Sequence, residues 1–417
     1  MWWLNKMNLE MITEVQDYTK PKAQVAETKQ AIIPKSYMIS GLRMRWVHFR
    51  LKLTLLKVAM VCYRNPLDWL RSLRYLVVLR KRFLGNYRLR KMACFNGEYF
   101  MGLYTPGWNN DIYKRFIASQ LHDFKPIEKG LVNRFNTVFL SVTKKCALQC
   151  EHCYEWEHLN KKDTLSDTEL IDIIKKLQGQ GVSQIQLSGG EPLLQMETLI
   201  KLLHRADTKS TNFWVVTSGF KLTLENAKRL KKAGLKGVIV SLDHHEEEKH
   251  NRFRHFKDAY YWVEQALTNS QNAGLVTALS LCATKTFISE ANLMSYMELA
   301  KILGVSFVQL LEPKAVGHYA QKEVSLDEAH IAILEDFFLK MNFGPNYKDM
   351  PILSYHGYYQ RRQGCFSAGL KGMYIDSDGD MNACPFCHKK TGKVLDVNYE
   401  NHLEVLKAEG CPTYPST

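Results

Sequence analysis

Three cysteines stand at C-x3-C-x2-C spacing in KKCALQCEHCYEW, residues 144–156: Cys146, Cys150 and Cys153. Three thiols this close suit four chemistries: a disulfide, a zinc site, a redox pair with a spare, or the seat of an iron–sulfur cluster. A disulfide leaves one thiol over. A structural zinc site usually takes four protein ligands, often as two pairs. His152 would have to supply the fourth, and from between two cysteines it would need a strained wrap. A cubic four-iron cluster needs only three thiolates from one short loop, which leaves one iron open to a small molecule. The spacing favours iron–sulfur over zinc, and zinc over a chance grouping.

A second set lies near the other end, in GCFSAGLKGMYIDSDGDMNACPFCHKK, residues 364–390. Asp378-Gly379 reads as a hairpin turn between MYID and MNAC. That turn brings Cys365 towards Cys384 and Cys387, and Cys411 completes four ligands. A zinc ribbon would use the same four residues. Cys62, Cys94 and Cys282 read as ordinary buried residues, with Cys282 at a strand end that could face substrate.

The elements that must position these groups read clearly from residue 138 onward. Short apolar runs VFLSV, QIQL, FWVVT, VIVSL, VTALSL and FVQLL alternate with helical stretches. The first helix opens with a capping box, Ser166 with Glu169. Strands joined by helices without hairpins imply a parallel sheet with right-handed crossovers, covered on both faces. The pattern fades after Pro313, so an open or partly closed barrel is expected rather than a full eightfold one. Chemistry in such folds collects at the carboxyl ends of the strands. The cysteine loop follows the first strand directly.

Upstream, residues 43–91 hold fourteen Lys/Arg and one acid, Asp68. Leu70, Leu73, Val77 and Leu84 recur at helical spacing. Two helices broken near Asn65-Pro66 are expected. A hairpin follows around Asn96-Gly97, and then a helix in NNDIYKRFIASQL. Four regions result: a polar, mobile stretch 1–42, a basic amphipathic extension 43–135, a barrel 136–345 and a Cys-rich domain 346–417. The 417 residues carry 46% hydrophobic side chains and a formal net charge of +14. That supports a real core and attracts polyanions. There is no basic n-region before an apolar core, and no run of about 20 apolar residues that would span a membrane. The chain is therefore expected in the cytoplasm, where thiols stay reduced.

Cysteine spacing and position together resemble the radical S-adenosylmethionine (SAM) superfamily, whose signature is this loop after the first strand of a partial (β/α)6 TIM-like barrel. The likeness spans roughly residues 136–315 and extends to further motifs. SGGEP, with Gly189, Gly190, Glu191 and Pro192, follows the second strand, where the family binds the methionine amino group. Ser218 in TSG and Ser241 in SLD match positions that contact the SAM ribose or carboxylate, with Asp243 facing substrate. Arg254 in HNRFRHF matches the arginine for the SAM carboxylate, with Arg252 close behind. The family often has glycine next, where this chain has His255. The C-terminal cysteines resemble the C-x(9–15)-G-x4-C segment of SPASM and Twitch domains. A full SPASM domain has more cysteines, so one auxiliary cluster on Cys365, Cys384, Cys387 and Cys411 is implied.

The resemblance implies a [4Fe-4S] cluster whose open iron chelates SAM, and reductive cleavage to a 5′-deoxyadenosyl radical that abstracts hydrogen from substrate. It also implies an auxiliary [4Fe-4S] cluster and an electron donor such as flavodoxin or ferredoxin. Segment 43–91 interleaves Arg and Lys with Trp46, Phe49, Trp69 and Tyr75. It suits peripheral association with an anionic membrane, at its inner face, and hence a lipid or lipid-linked substrate. A basic, solvated helix pair packed on the barrel explains the same residues. The alternatives are a maturase that oxidises or cross-links a peptide or protein, and a non-enzymatic metal- or nucleic-acid-binding protein. Nucleic acid is not an expected partner, since no RNA-binding motif accompanies the charge.

Overall fold

A computed structural model describes Thr19 and residues 36–127, 132–411 and 413–414. The expectation for residues 1–42 therefore lies largely outside the described residues. Strand β1 (Ser36–Ile39) precedes helices α1 (Gly41–Cys62) and α2 (Pro66–Leu84). The break between the helices falls at Asn65-Pro66. The Asn65 side chain accepts from the Leu67 N–H at 3.0 Å, and proline takes the first helical position. Strands β2 (Met92–Phe95) and β3 (Glu98–Phe100) form the expected hairpin, with Asn96 and Gly97 both at positive φ. Strand β1 adds antiparallel to β2. Helix α3 (Asp111–Phe124) packs with α1 around Met44, Val47, Leu51, Tyr113 and Leu121.

The parallel sheet then builds by strand and helix. In order these are β4 (Phe135–Ser141), α4 (Asp167–Gln180), β5 (Val182–Ser188), α5 (Met196–Arg205), β6 (Asn212–Thr217) and α6 (Leu224–Ala233). Next come β7 (Gly237–Ser241), α7 (Glu247–Arg254), α8 (Ala259–Ala273), β8 (Val276–Cys282), α9 (Glu290–Ile302) and β9 (Phe307–Leu311). The capping box of Ser166 and Glu169 is formed at the start of α4.

The sheet does not stop where the sequence pattern fades. Helix α10 (Glu328–Phe343) leads to β10 (Ile352–Tyr355), parallel to β9. Helix α11 (His356–Gln363) leads to β11 (Gly372–Ile375), parallel to β4. The Asp378-Gly379 turn joins β11 to β12 (Met381–Asn382), antiparallel as expected, and α12 (Tyr399–Glu409) follows. The order is β10-β9-β8-β7-β6-β5-β4-β11-β12. This is a mostly parallel, partial TIM-like barrel whose end strands do not pair with each other.

Alternate residues face opposite sides. Val138, Ile185, Val215, Val240, Leu279 and Val308 pack beneath the helices. On the inner side, Trp214, Ile239, Val276 and Phe307 lie near the strand starts and pack against Phe95, Phe100 and Leu103. The small β1–β3 sheet thus plugs the floor of the barrel. Lys91 pins the plug: it is buried, and its Nζ donates to the carbonyls of Met341, Tyr347 and Pro351 at 2.9–3.0 Å. Lys91→Met removes this donor from all three carbonyls, and among the described residues only Tyr347 O keeps another, the Met350 N–H at 3.3 Å. It should cost about 3 kcal/mol of stability, read as a lower chemical-denaturation midpoint. An unchanged midpoint would mean that water serves those carbonyls instead.

Candidate active site and cysteine centres

The loop after β4 has little regular hydrogen bonding of its own, so its backbone must be satisfied by neighbours. The N–H of Gly190 donates to Thr143 O at 2.8 Å, and that of Glu191 to Lys145 O at 2.7 Å. A Cβ on Gly189 would stand 2.4 Å from Thr143 O, and one on Gly190 2.2 Å from Lys145 O and 3.1 Å from Cys146 Cβ. The paired glycines of SGGEP therefore let the second strand's turn press onto the cysteine loop. Asn160 Oδ1 accepts from the Cys146 N–H at 3.0 Å, and the Glu151 N–H donates to Phe253 O at 3.1 Å. His318, after β9, donates its backbone N–H to Cys153 O at 2.9 Å and places Nδ1 3.0 Å from Cys150 O. Trp156 stacks on the same His318 ring at 3.9 Å.

The three thiols are free and pack in one cluster with Leu148, Phe220 and Trp262. Burial pushes all three up as free acids, Cys153 to about 12. Thiolates at that depth need a bound cation to form. Arg254 Nη1 approaches Cys150 Sγ at 3.4 Å. Among the described residues, the group of three or more His, Cys, Asp or Glu ligand atoms all within 4.8 Å of one another is His244, His245 and Glu246, and His244 Nδ1 already accepts from the Glu246 N–H. The His152 ring packs on Phe253 with its Nε2 towards Asp243, and its Nδ1 is buried without a partner. Donor type and burial fit an iron–sulfur cluster.

Glu191 is buried and accepts four hydrogen bonds: from Ser218 Oγ at 2.5 Å, Thr217 Oγ1 at 2.7 Å, the Ser218 N–H at 2.8 Å and the Leu193 N–H at 3.2 Å. Burial pushes its pKa up, while the bonds from Ser218 and Thr217 pull the other way. The fold thus brings Glu191 and Ser218 together, with Pro192 opening the turn that follows. Ser241 ends β7 and makes none of these bonds.

Arg252 is exposed and Arg254 buried, which separates the two candidates. Arg254 grips Asp243 Oδ2 through Nε and Nη2, both at 2.6 Å. Burial opposes the Asp243 charge, yet the guanidinium outweighs it and holds that carboxyl below the usual range. Asp243, expected to face substrate, is instead the counter-ion of Arg254. His255 takes the left-handed cap of α7 with φ +53°, the conformation that favours glycine there. Cys282 is buried, and its N–H donates to Asp243 Oδ1 at 3.2 Å.

The distal cysteines also converge. Cys365, Cys384, Cys387 and Cys411 all line one cavity, and the Cys387 N–H donates to Cys384 O at 3.0 Å. Lys144, two residues before Cys146, bonds Asp378 Oδ1 at 2.6 Å, so the β11–β12 turn braces the first cysteine loop. A cavity of about 2260 Å³ reaches the four distal cysteines, the barrel interior, and the inner faces of α1 and α2. Tyr154, next after Cys153, lines it and packs edge-on against Tyr374 and Phe386. Asn160, Asp378 and His318 carry no motif. Only the Asp-Gly turn was marked in the sequence.

The radical SAM superfamily model matches residues 140–288. A probable GTP 3′,8-cyclase of Methanocaldococcus jannaschii is 32% identical over 218 residues, covering 50% of this chain and 70% of that protein. A GTP 3′,8-cyclase of Campylobacter jejuni is 30% identical over 185 residues, covering 43% of this chain and 57% of that one. The chain thus spans little more than half the length of such curated relatives. Streptococcus suis SuiB, solved with its precursor peptide SuiA, has the same fold at 14% identity, with TM-score 0.54 over 74% of this chain and 72% of that one. Parallel strands, a three-cysteine loop and a glycine turn seated on it define an iron–sulfur enzyme. The chain belongs to the radical SAM superfamily, whose members use a [4Fe-4S] cluster and SAM and draw electrons from an external donor.

Gly190→Ala forces a methyl onto the Lys145 carbonyl and should displace the cysteine loop. Anaerobically reconstituted variant should hold less iron and show weaker visible absorption than wild type. Equal iron loading would mean that the loop yields without losing its geometry.

Proposed function

We propose that the enzyme works at an anionic membrane surface and abstracts hydrogen from a lipid or lipid-linked substrate. The supporting observation is the two-sidedness of α1 and α2. More than half of the large apolar side chains exposed among the described residues lie on these helices, including Trp46, Phe49, Leu53, Leu70 and Val78. Basic residues stand among them. The opposite faces of the same helices line the cavity that leads to the barrel. An outward face both apolar and basic suits the headgroup boundary, where each Lys or Arg adds about 1 kcal/mol of attraction. No helix among the described residues is long and apolar enough to cross a membrane, so the contact would be peripheral.

Cys146, Cys150 and Cys153 would hold the SAM-binding cluster. Gly189, Gly190, Glu191, Pro192, Ser218, Ser241 and Arg254 would surround SAM. With cluster and SAM bound, the cofactors supply a 5′-deoxyadenosyl radical that removes hydrogen from an unactivated C–H. The chain's own part is to seat the cysteine loop, keep Arg254 charged beside Cys150, and exclude water with Phe220 and Trp262. Cys365, Cys384, Cys387 and Cys411 would hold an auxiliary [4Fe-4S] cluster, a reading supported by their convergence on the cavity. The electron donor would be a flavodoxin or ferredoxin.

Reconstituted protein with dithionite and SAM should release 5′-deoxyadenosine, and Cys150→Ala should release none. Product from that variant would end the radical SAM assignment of this loop. Cys365→Ala should lower bound iron from about eight to about four per chain; a retained eight would remove the auxiliary site. The protein should sediment with phosphatidylglycerol vesicles, less so in high salt or with Trp46→Ser and Phe49→Ser together. Sedimentation untouched by both changes would defeat the membrane reading.

A further inference from the structure

The inward faces of the barrel strands above the plug carry polar, uncharged side chains. Ser280, Gln309 and Ser354 are register neighbours across β8, β9 and β10. Their flanking residues Leu279, Leu281, Val308, Leu310 and Leu353 pack under the helices, so this row faces inward. Thr137 and Gln186 face the same space from β4 and β5, and Tyr104 reaches up from the floor towards Gln186 and Gln309. All six line the cavity.

Several hydrogen-bonding atoms here are buried and lack a partner: Thr137 Oγ1, Gln186 Nε2, Tyr104 Oη and, above them, Ser188 Oγ. Thr137, Gln186 and Ser188 are each more than nine-tenths buried. Folded proteins rarely leave such groups unpaired, because each forfeits its bonds to water. A row of unpaired donors and acceptors in one chamber therefore marks a place where a ligand completes them. The inward row holds no Lys, Arg, Asp or Glu. His356 lies against Tyr104 at 4.4 Å, and burial lowers its pKa to about 4, so it is neutral too. Of the cations that line the same cavity, Lys314 and Arg361 are paired with Glu312 and Lys91 donates to three carbonyls, so a phosphate or carboxylate would find no free counter-charge in this row. The side chains are amides and hydroxyls, which donate and accept in alternation. Tyr104 and Phe139 add aromatic faces.

We propose that this chamber binds a neutral, multiply hydroxylated group, such as a sugar or polyol, as the polar part of the substrate. The inference rests on the barrel being the reaction chamber of the radical SAM reading. It excludes a nucleoside triphosphate from this depth. The hydroxylated group can come from a free sugar or from the head of a lipid whose chain lies in the apolar part of the cavity by α1 and α2.

The test is anaerobic calorimetry on the reconstituted full chain, saturated with SAM. The probes are methyl β-glucoside, methyl β-galactoside, octyl β-glucoside below its micelle concentration, and octyl sulfate. A glycoside should bind, and Gln186→Leu and Gln309→Leu should each weaken it at least tenfold. Both variants should keep the iron content of wild type and melt no lower, because leucine fills a similar volume and Gln186→Leu removes an amide nitrogen that has no partner. Binding of a methyl glycoside assigns a free sugar as the source, and binding of octyl glucoside alone assigns a lipid head. Octyl sulfate binding as tightly as octyl glucoside overturns the proposal, as does a chamber that takes neither glycoside and holds water only. Lower melting of both variants with glycoside affinity intact also overturns it, since the amides would then be structural. Vesicle sedimentation is read separately. Its failure alone removes the membrane reading and leaves this one standing.

Discussion

The constraint on which the site depends is the contact between the SGG turn and the backbone of residues 143–146. Two N–H groups from one loop meet two carbonyls of another at a distance that no Cβ would permit. A segment that must present three cysteines in one direction cannot be helix or strand, so its polar backbone has to be paired from outside. The glycine turn supplies that pairing from β5, α7 supplies it through Phe253, and the loop after β9 through His318. Loops at the carboxyl ends of several strands thus converge on one short stretch. The orientation of Glu191, Ser218 and Arg254 around the cysteines follows from the same convergence.

Leaving the barrel unclosed has a consequence for access. With β10 and β12 unpaired to each other, the interior communicates with the N-terminal helices on one side and the distal cysteines on another. The β1–β3 plug closes only the floor. One apolar passage therefore connects a basic, partly apolar outer surface, a neutral polar chamber and a second cluster of thiols. The charged groups sit at the rim and at the cysteine loop, where Arg254 and Asp243 neutralise each other away from water.

Much of this was legible in the chain. Six strands, the capping box at Ser166, the break at Asn65-Pro66 and the Asn96-Gly97 hairpin all rest on local patterns of two to sixteen residues, which is the range over which periodicity and turn chemistry act. The four-residue strand β10 was not legible, because a run as short as ILSY gains its identity only by pairing with β9, and the hairpin arm MYID gave no sign that it would join the barrel sheet beside β4. The partnership of Arg254 with Asp243 was equally hidden. It depends on which side of α7 faces the cysteine loop.

By itself the sequence determined the chemistry: cysteine spacing, a glycine pair one strand later and a second cysteine set select an iron–sulfur enzyme of the radical SAM type. Only the tertiary structure decided what those residues press against. The glycines approach a backbone, Asp243 answers an arginine, and unpaired groups of Tyr104, β4 and β5 face the polar inward row of β8, β9 and β10. Each of these joins groups tens to hundreds of residues apart. Burial and counter-charge belong to the packed whole, while spacing and turn residues belong to the chain.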